Sequence, residues 1–196
     1  MPIVPTVGGK FWTSNKVEPK RKFRFIMSLG GTETIDVIES WYVKTAKKPT
    51  WKMEGQGEVK YIQHTWKYPG RIKWDPIDIT VIDPASPDSA SILMNILATS
   101  GYSAPFSTLE ADGVRKSISK QGANNAMGRI LLSQIDADGE PIEEWLLHNA
   151  FLTGVDFGGV DYGSDDIVEY TLNVDYDFAT LNQTSTPVER AVRTKG

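Results

Sequence analysis

The chain has 196 residues, no cysteine, and a formal net charge of −4 from 21 Lys+Arg and 25 Asp+Glu. That length suits one domain with a full core, and the missing cysteine excludes disulfides, thiolate metal sites and a cysteine nucleophile. Charge is unevenly placed, with 14 Lys+Arg against 7 Asp+Glu in residues 1–75 and 7 against 18 in residues 76–196; a nucleic-acid surface, two unlike faces that meet in a neighbour, and an ordinary solvated surface all fit this split.

Residues 1 to about 20 hold Pro2, Pro5, Pro19 and the Gly8–Gly9 pair around Phe11–Trp12, which reads as an irregular arm with an aromatic anchor. The basic start and apolar middle of a signal peptide are missing and no apolar run approaches a membrane span, so no membrane insertion is expected. In Phe23 to Leu29 the apolar residues Phe23, Phe25, Met27 and Leu29 alternate, predicting a strand, and Gly30–Gly31 predicts a turn into a hairpin partner over Thr32 to Lys44. From Thr45 to Gly57 no period holds, and the reading is a long loop. It carries Lys47, Lys48, Trp51, Lys52 and Met53, which either pack back on their own domain or reach another subunit. Strand signals resume at 58–66, at 67–74 with Pro69–Gly70 as a turn, and at 76–82, where Ile77, Ile79 and Val81 oppose Asp78 and Thr80. Short strands at such spacing point to a sandwich or barrel.

One clear helix is predicted after Asp83–Pro84, with Ser86 as N-cap, Pro87 at the first helical position, Asp88 complementing the helix end, and Gly101 closing it. Its stripe of Ile92, Leu93, Ile96 and Leu97 faces a sheet. A short helix within 115–126 is weakened by Gly122 and the Asn124–Asn125 pair. A hairpin follows over Gly128–Ile135 and Pro141–His148, turning at Asp136–Gly139, then a strand over Phe151–Asp156. From Asp166 to Ala179 one long strand is expected, with Val168, Tyr170, Leu172, Val174, Tyr176 and Phe178 on a core face and Glu169, Thr171, Asn173, Asp175 and Asp177 on a wet one. The domain therefore spans residues 1–181, and 182–196 reads as a C-terminal tail.

Chemistry is hard to find in these residues. His64 and His148 stand in strands without a nucleophile elbow, and Gly55–Gln56–Gly57 lacks the third glycine and following helix of a dinucleotide loop. The acidic turns at Asp136–Glu140 and at Asp161, Asp165 and Asp166 are explained as turns before they are explained as calcium loops. Lys20, Arg21, Lys22 and Arg24 are the residues a nucleic-acid surface would rest on, but only one or two of them line a strand edge and the rest sit before it, and lysines there also block edge pairing. No cofactor, metal or enzymatic constellation is expected.

The runs PKRKFRFIMSL from Pro19 to Leu29, KYPGRIKWDPIDITVID from Lys67 to Asp83 with the helix behind it, and LTGVDFGGVDYGSDDIVEYTLNVDYDF from Leu152 to Phe178 together resemble the tail tube proteins of contractile-tailed phages and, through them, the ring-forming tube proteins of type VI secretion. The resemblance implies a mainly β fold, a β-sandwich or half-barrel of antiparallel strands with one flanking α-helix. It further implies six copies closing into a ring whose inner sheets form one barrel, with rings stacking into a hollow tube. The loop at 45–57 would then contact the next ring through Lys47, Lys48, Trp51, Lys52 and Met53. Implied partners are copies of the same chain, the tail sheath, the baseplate and the tape-measure protein, in a virion tail assembled in the host cytoplasm. Were the terminal strand in the inner sheet, Glu169, Asp175 and Asp177 would line the channel and repel DNA phosphates, so that DNA passes without specific binding. A secretion tube carrying protein effectors and a monomeric β-sandwich binding module are the alternatives.

Overall fold

The computed structural model describes residues 19–30, 42–103 and 117–183. The Phe11–Trp12 anchor, most of the hairpin partner expected at Thr32–Lys44, and nearly all of the tail lie outside them. The strands in chain order are β1 (Phe25–Leu29), β2 (Val43–Ala46), β3 (Thr50–Glu54), β4 (Gly57–Tyr61), β5 (His64–Tyr68), β6 (Arg71–Asp75) and β7 (Ile77–Ile82). Helices α1 (Ser89–Thr99) and α2 (Lys120–Met127) follow, then β8 (Ile130–Ile135), β9 (Pro141–His148), β10 (Phe151–Asp156), β11 (Glu169–Asp175) and β12 (Phe178–Gln183).

Eight strands build two four-stranded antiparallel sheets, ordered β1-β8-β9-β12 and β10-β11-β7-β2. The core lies between them. Met27, Leu29, Ile130, Leu132 and Leu147 of the first sheet meet Ile77, Ile79, Val81, Leu172 and Val174 of the second, all buried. Helix α1 adds Ile92, Leu93 and Ile96 to the same core, as its stripe predicts. The fold is thus the expected β-sandwich, but among the described residues two helices rather than one lie against it. Ser119 caps α2 by accepting from the Gly122 amide at 3.0 Å, and Gly128 ends it. Gly122 is tolerated in the first turn because any Cβ there would lie 2.8 Å from the Ser100 carbonyl oxygen; the residue that weakened the helical reading is the one that lets α2 approach α1.

Four other expectations need correction. The N-cap of α1 is Asp88, whose carboxylate accepts from the Ala90 amide at 3.1 Å, not Ser86. β1 pairs with β8, while Val43 and Lys44, the described end of the expected hairpin partner, belong to β2, which pairs with β7 in the other sheet. The long terminal strand is two strands: β11 ends at Asp175, and after Tyr176–Asp177 the chain switches sheets to pair as β12 with β9. Such a corner keeps the side-chain alternation running and so leaves no break in the pattern. Phe178 consequently leaves the core face; it is 44% exposed and stacks on His148 at 4.4 Å. The fourth correction concerns the loop at 45–57, and it sets the candidate site.

Candidate assembly surfaces

Residues 45–57 do not form a loop. β3 pairs with β6 and β4 with β5, each pair forming a two-stranded sheet of its own, so that Thr50 to Asp75 is one β-ribbon continuing outward from the β2–β7 pair. Eleven steps from Thr50 to Tyr61 at about 3.3 Å each give an arm of roughly 36 Å. Pro69–Gly70, expected as a turn, is a break in its middle facing Gly55–Gln56. Gly55 there has φ +72°, and a Cβ on Gly70 would lie 1.8 Å from the Glu54 carbonyl oxygen, so only glycine lets the strands cross so closely. The true turn is Ile62–Gln63. Ile62 takes φ +54°, a conformation that glycine or asparagine normally fills in a two-residue hairpin and that costs a β-branched residue strain.

Each half of the ribbon has two unlike faces. In the inner half Trp51 opposes Trp74 and Met53 opposes Ile72 on one side. On the other side Lys52 pairs with Asp75 at 3.1 Å and Lys73 with Glu54 at 3.5 Å; the Asp75 carboxylate raises the Lys52 pKa. In the outer half Val59 opposes Trp66 and Tyr61 opposes His64, with Glu58, Lys60 and Lys67 behind. Trp51, Val59, Tyr61, Ile62, Tyr68 and Ile72 are all more than 50% exposed. Isolated two-stranded ribbons are marginal in water, and a contiguous exposed apolar face of this kind marks an interaction surface.

The base of the ribbon is fixed to the sandwich. Trp74 packs tilted against the buried Tyr176 at 6.0 Å, and burial first of all pushes the Tyr176 hydroxyl up to about 12. Lys48 donates to Gln134 Oε1 at 2.5 Å and to Glu143 Oε1 at 2.7 Å. Burial would raise the Glu143 pKa, but Lys20, Lys48 and the Trp145 Nε1–H all donate to it and hold it down to about 2. Of the loop residues expected to meet a neighbour, Trp51, Lys52 and Met53 therefore stand on the exposed ribbon, while Lys48 is engaged with its own domain. Lys47 lies at the base, its amide donating to the Asp78 carbonyl at 3.1 Å. The residues that sequence reasoning missed are those of the outer half, whose alternation in Val59–Tyr61 and Trp66–Tyr68 is visible once the two runs are aligned as partners.

A second surface is the outer face of the β10-β11-β7-β2 sheet. Thr171 opposes Thr80 and Asn173 opposes Asp78, the Thr45 hydroxyl donates to Thr80 at 2.9 Å, and Glu169 pairs with Lys44. Glu169 and Asp175 share this polar face. Asp177 does not; it sits at the corner beyond β11, where Lys120 at 2.7 Å and Asn149 at 2.7 Å bind its carboxylate and lower its pKa. The two acidic turns behave as turns: Asp136 accepts from the Asp138 and Glu140 amides, and Asp161 from the Gly163 amide. His148 Nε2 lies 2.9 Å from the Thr180 hydroxyl. Among the described residues no group of three or more His, Asp or Glu is placed to hold a metal, and no helix is long and apolar enough to cross a membrane.

No family model matches the chain, and no curated protein is similar to it in sequence. Solved structures do match. A chain from the sheath/tube terminator of PVC, an extracellular contractile injection system, in its extended state superposes with TM-score 0.61 at 17% identity, over 85% of this chain and 98% of that one. A chain from the PVC sheath–tube complex gives 0.57 at 18%, over 84% and 92%. The SPP1 tail tube gives 0.52 at 8%, over 84% and 80%. The protein has the β fold shared by these chains.

Proposed function

We propose that this protein is a non-enzymatic structural subunit of a phage tail tube, in which six copies close a ring and rings stack through the ribbon. The observation that carries the reading is the ribbon itself: some 26 residues, from Thr50 to Asp75, bear an apolar face that rests on the sandwich at its base through Trp74 and leaves Trp51, Val59, Tyr61, Tyr68 and Ile72 more than half exposed. Ordering a strand costs about 1–2 kcal/mol per residue in backbone entropy, and burying a Trp, Tyr or Ile side chain returns about 1.5–3 kcal/mol. Among the described residues nothing supplies that burial, and a contact with a second copy would. The polar face with Asp78, Glu169, Thr171, Asn173 and Asp175 would look into the channel, where repulsion of phosphates lets DNA slide toward the host. Sheath and baseplate proteins would surround and terminate the tube. A second reading, a tube that carries protein cargo, is supported by the similarity to chains of an extracellular contractile injection system.

Light scattering and negative-stain microscopy on the purified full chain test the proposal. Rings or tubes are expected for the natural sequence, and small species for a Trp51→Ser/Val59→Ser/Trp66→Ser variant of unchanged circular dichroism. A natural chain that stays monomeric up to its solubility limit would overturn both tube readings.

A further inference from the structure

Beside the ribbon base, the β1 and β2 edges of the two sheets leave a cavity of about 740 Å³ between them. Its floor is apolar, with Phe25, Ala46, Leu132 and Trp145, and its rim carries Lys20, Lys22, Lys44 and Lys48. Glu143 and Glu169 answer three of these lysines within the chain, leaving the rim with a surplus of positive charge. At the opposite edge of the same sheet, β10 runs into the 157–168 connection. Val160 is 92% exposed, Ile167 65%, and Tyr162 fully so, beside Asp161, Asp165 and Asp166. From residue 149 to 183 the chain has seven Asp+Glu and no Lys or Arg.

We infer that this connection of one copy docks, Tyr162 and Val160 foremost, into the lysine-rimmed cavity of the next copy in a ring. The inference rests on the self-assembly reading above. Strand direction permits it. β10 is antiparallel to β11, β11 to β7 and β7 to β2, so the two strands that edge this sheet among the described residues run in opposite senses, and copies related by rotation about a common axis meet there antiparallel. The end of β10 that leads into the connection then falls beside the Val43–Lys44 end of the neighbour's β2. Both edges are interrupted, by register shifts at Leu152/Gly154 and at Val43/Thr45. Bulges and edge lysines curtail a backbone ladder, so side chains must carry the joint. An acidic, aromatic loop matches a basic, aromatic-floored cavity in both charge and apolar character, and the contact is heterologous, the kind that closes rings.

The chain contains no cysteine, so introduced thiols report this contact without background. Tyr162→Cys and Lys22→Cys full-length chains, differing in length by a tag, are mixed and oxidised with copper phenanthroline; a mixed disulfide dimer, well above the homodimers of either chain alone, is expected. An Asp161→Lys/Asp165→Lys/Asp166→Lys variant, unchanged in circular dichroism and melting, should need about tenfold or more higher concentration to assemble, an effect worth about 1.4 kcal/mol. If that variant assembles like the natural chain, or if the natural chain assembles and no mixed dimer forms, the loop contact is wrong while self-assembly stands. Failure of the natural chain to assemble at any soluble concentration overturns the self-assembly reading and this inference together.

Discussion

Glu143 shows how one residue divides the ribbon base between fold and assembly. It is buried on the core face of β9, two residues before Trp145, and Lys20 and Lys48 reach it from the segment just before β1 and from the turn into β3. Because its folded pKa of about 2 lies below the ordinary 4.5, the unfolded chain takes up the proton first as pH falls. The stability it provides is therefore full above about pH 5 and is lost as pH drops toward 2. Glu143→Gln should lower unfolding free energy at pH 7 by about 1–2 kcal/mol, and the difference should shrink at pH 2.5; equal destabilisation at both pH values in urea titrations would mean that the ion pairs contribute nothing. The same geometry makes charge reversal at Lys48 a test of folding rather than of assembly, and leaves Lys47 as the cleaner probe. Ile62 offers the converse case. Glycine relieves the strain of φ +54°, so Ile62→Gly should leave the isolated chain as stable or up to about 1 kcal/mol more so, yet weaken assembly if the exposed side chain is what the tip presents to its neighbour. A melt together with an assembly titration separates the two effects.

At the scale of elements, the ribbon was the least legible part, and for physical reasons. Trp51 and Met53 alternate, but Pro49 and Gly55 confine the alternation to five residues, too few to show a period without the partner strand that supplies the hydrogen bonds. Pro69–Gly70 is a strong turn signal locally; here tertiary context turns it into a crossing point, and the real turn at Ile62–Gln63 has neither glycine nor asparagine to announce it. By contrast β7 and the stripe of α1 were readable because each buries one face against the core, which imposes the period directly on the sequence, and β8 and β9 were readable from the Asp–Gly turn between them. The acidic residues of β11 were readable as a wet face, whereas the corner that removes Asp177 from that face was not, since both sheets use the same alternation. The close crossing gives a specific expectation. Gly70→Ala places a methyl where the Glu54 carbonyl oxygen stands, so the outer half of the ribbon must shift. Hydrogen exchange should show lost protection for 57–68 with the sandwich amides unchanged, and assembly should fall by about tenfold or more; unchanged exchange in 57–68 would show that the break absorbs the methyl.

At the scale of the whole molecule, the charge asymmetry and the exposed apolar surface belong to different parts of the fold, and this allows their contributions to be separated. The excess of positive charge gathers at the β1/β2 edge and the negative excess along β10 and its connection, on opposite edges of one sheet, while the ribbon leaves the sandwich from its own base with an apolar face. In the proposed assembly the side-by-side joint made by the two edges would be electrostatic and the stack made by the ribbons hydrophobic. Raising salt from 0.1 M to 1 M shortens the screening length from about 10 Å to about 3 Å, and excluded salts such as sulfate strengthen apolar burial. If both contacts operate as proposed, sodium chloride should weaken ring closure first, giving stacks or short oligomers with broken rings, whereas sodium sulfate should favour the ribbon contact at equal ionic strength. Sedimentation and microscopy across the two salts distinguish these outcomes. Uniform loss of every species in both would mean that charge also holds the ribbon, through Lys52, Lys73 and their partners Asp75 and Glu54, and that the apolar face is covered by something other than another copy of this chain.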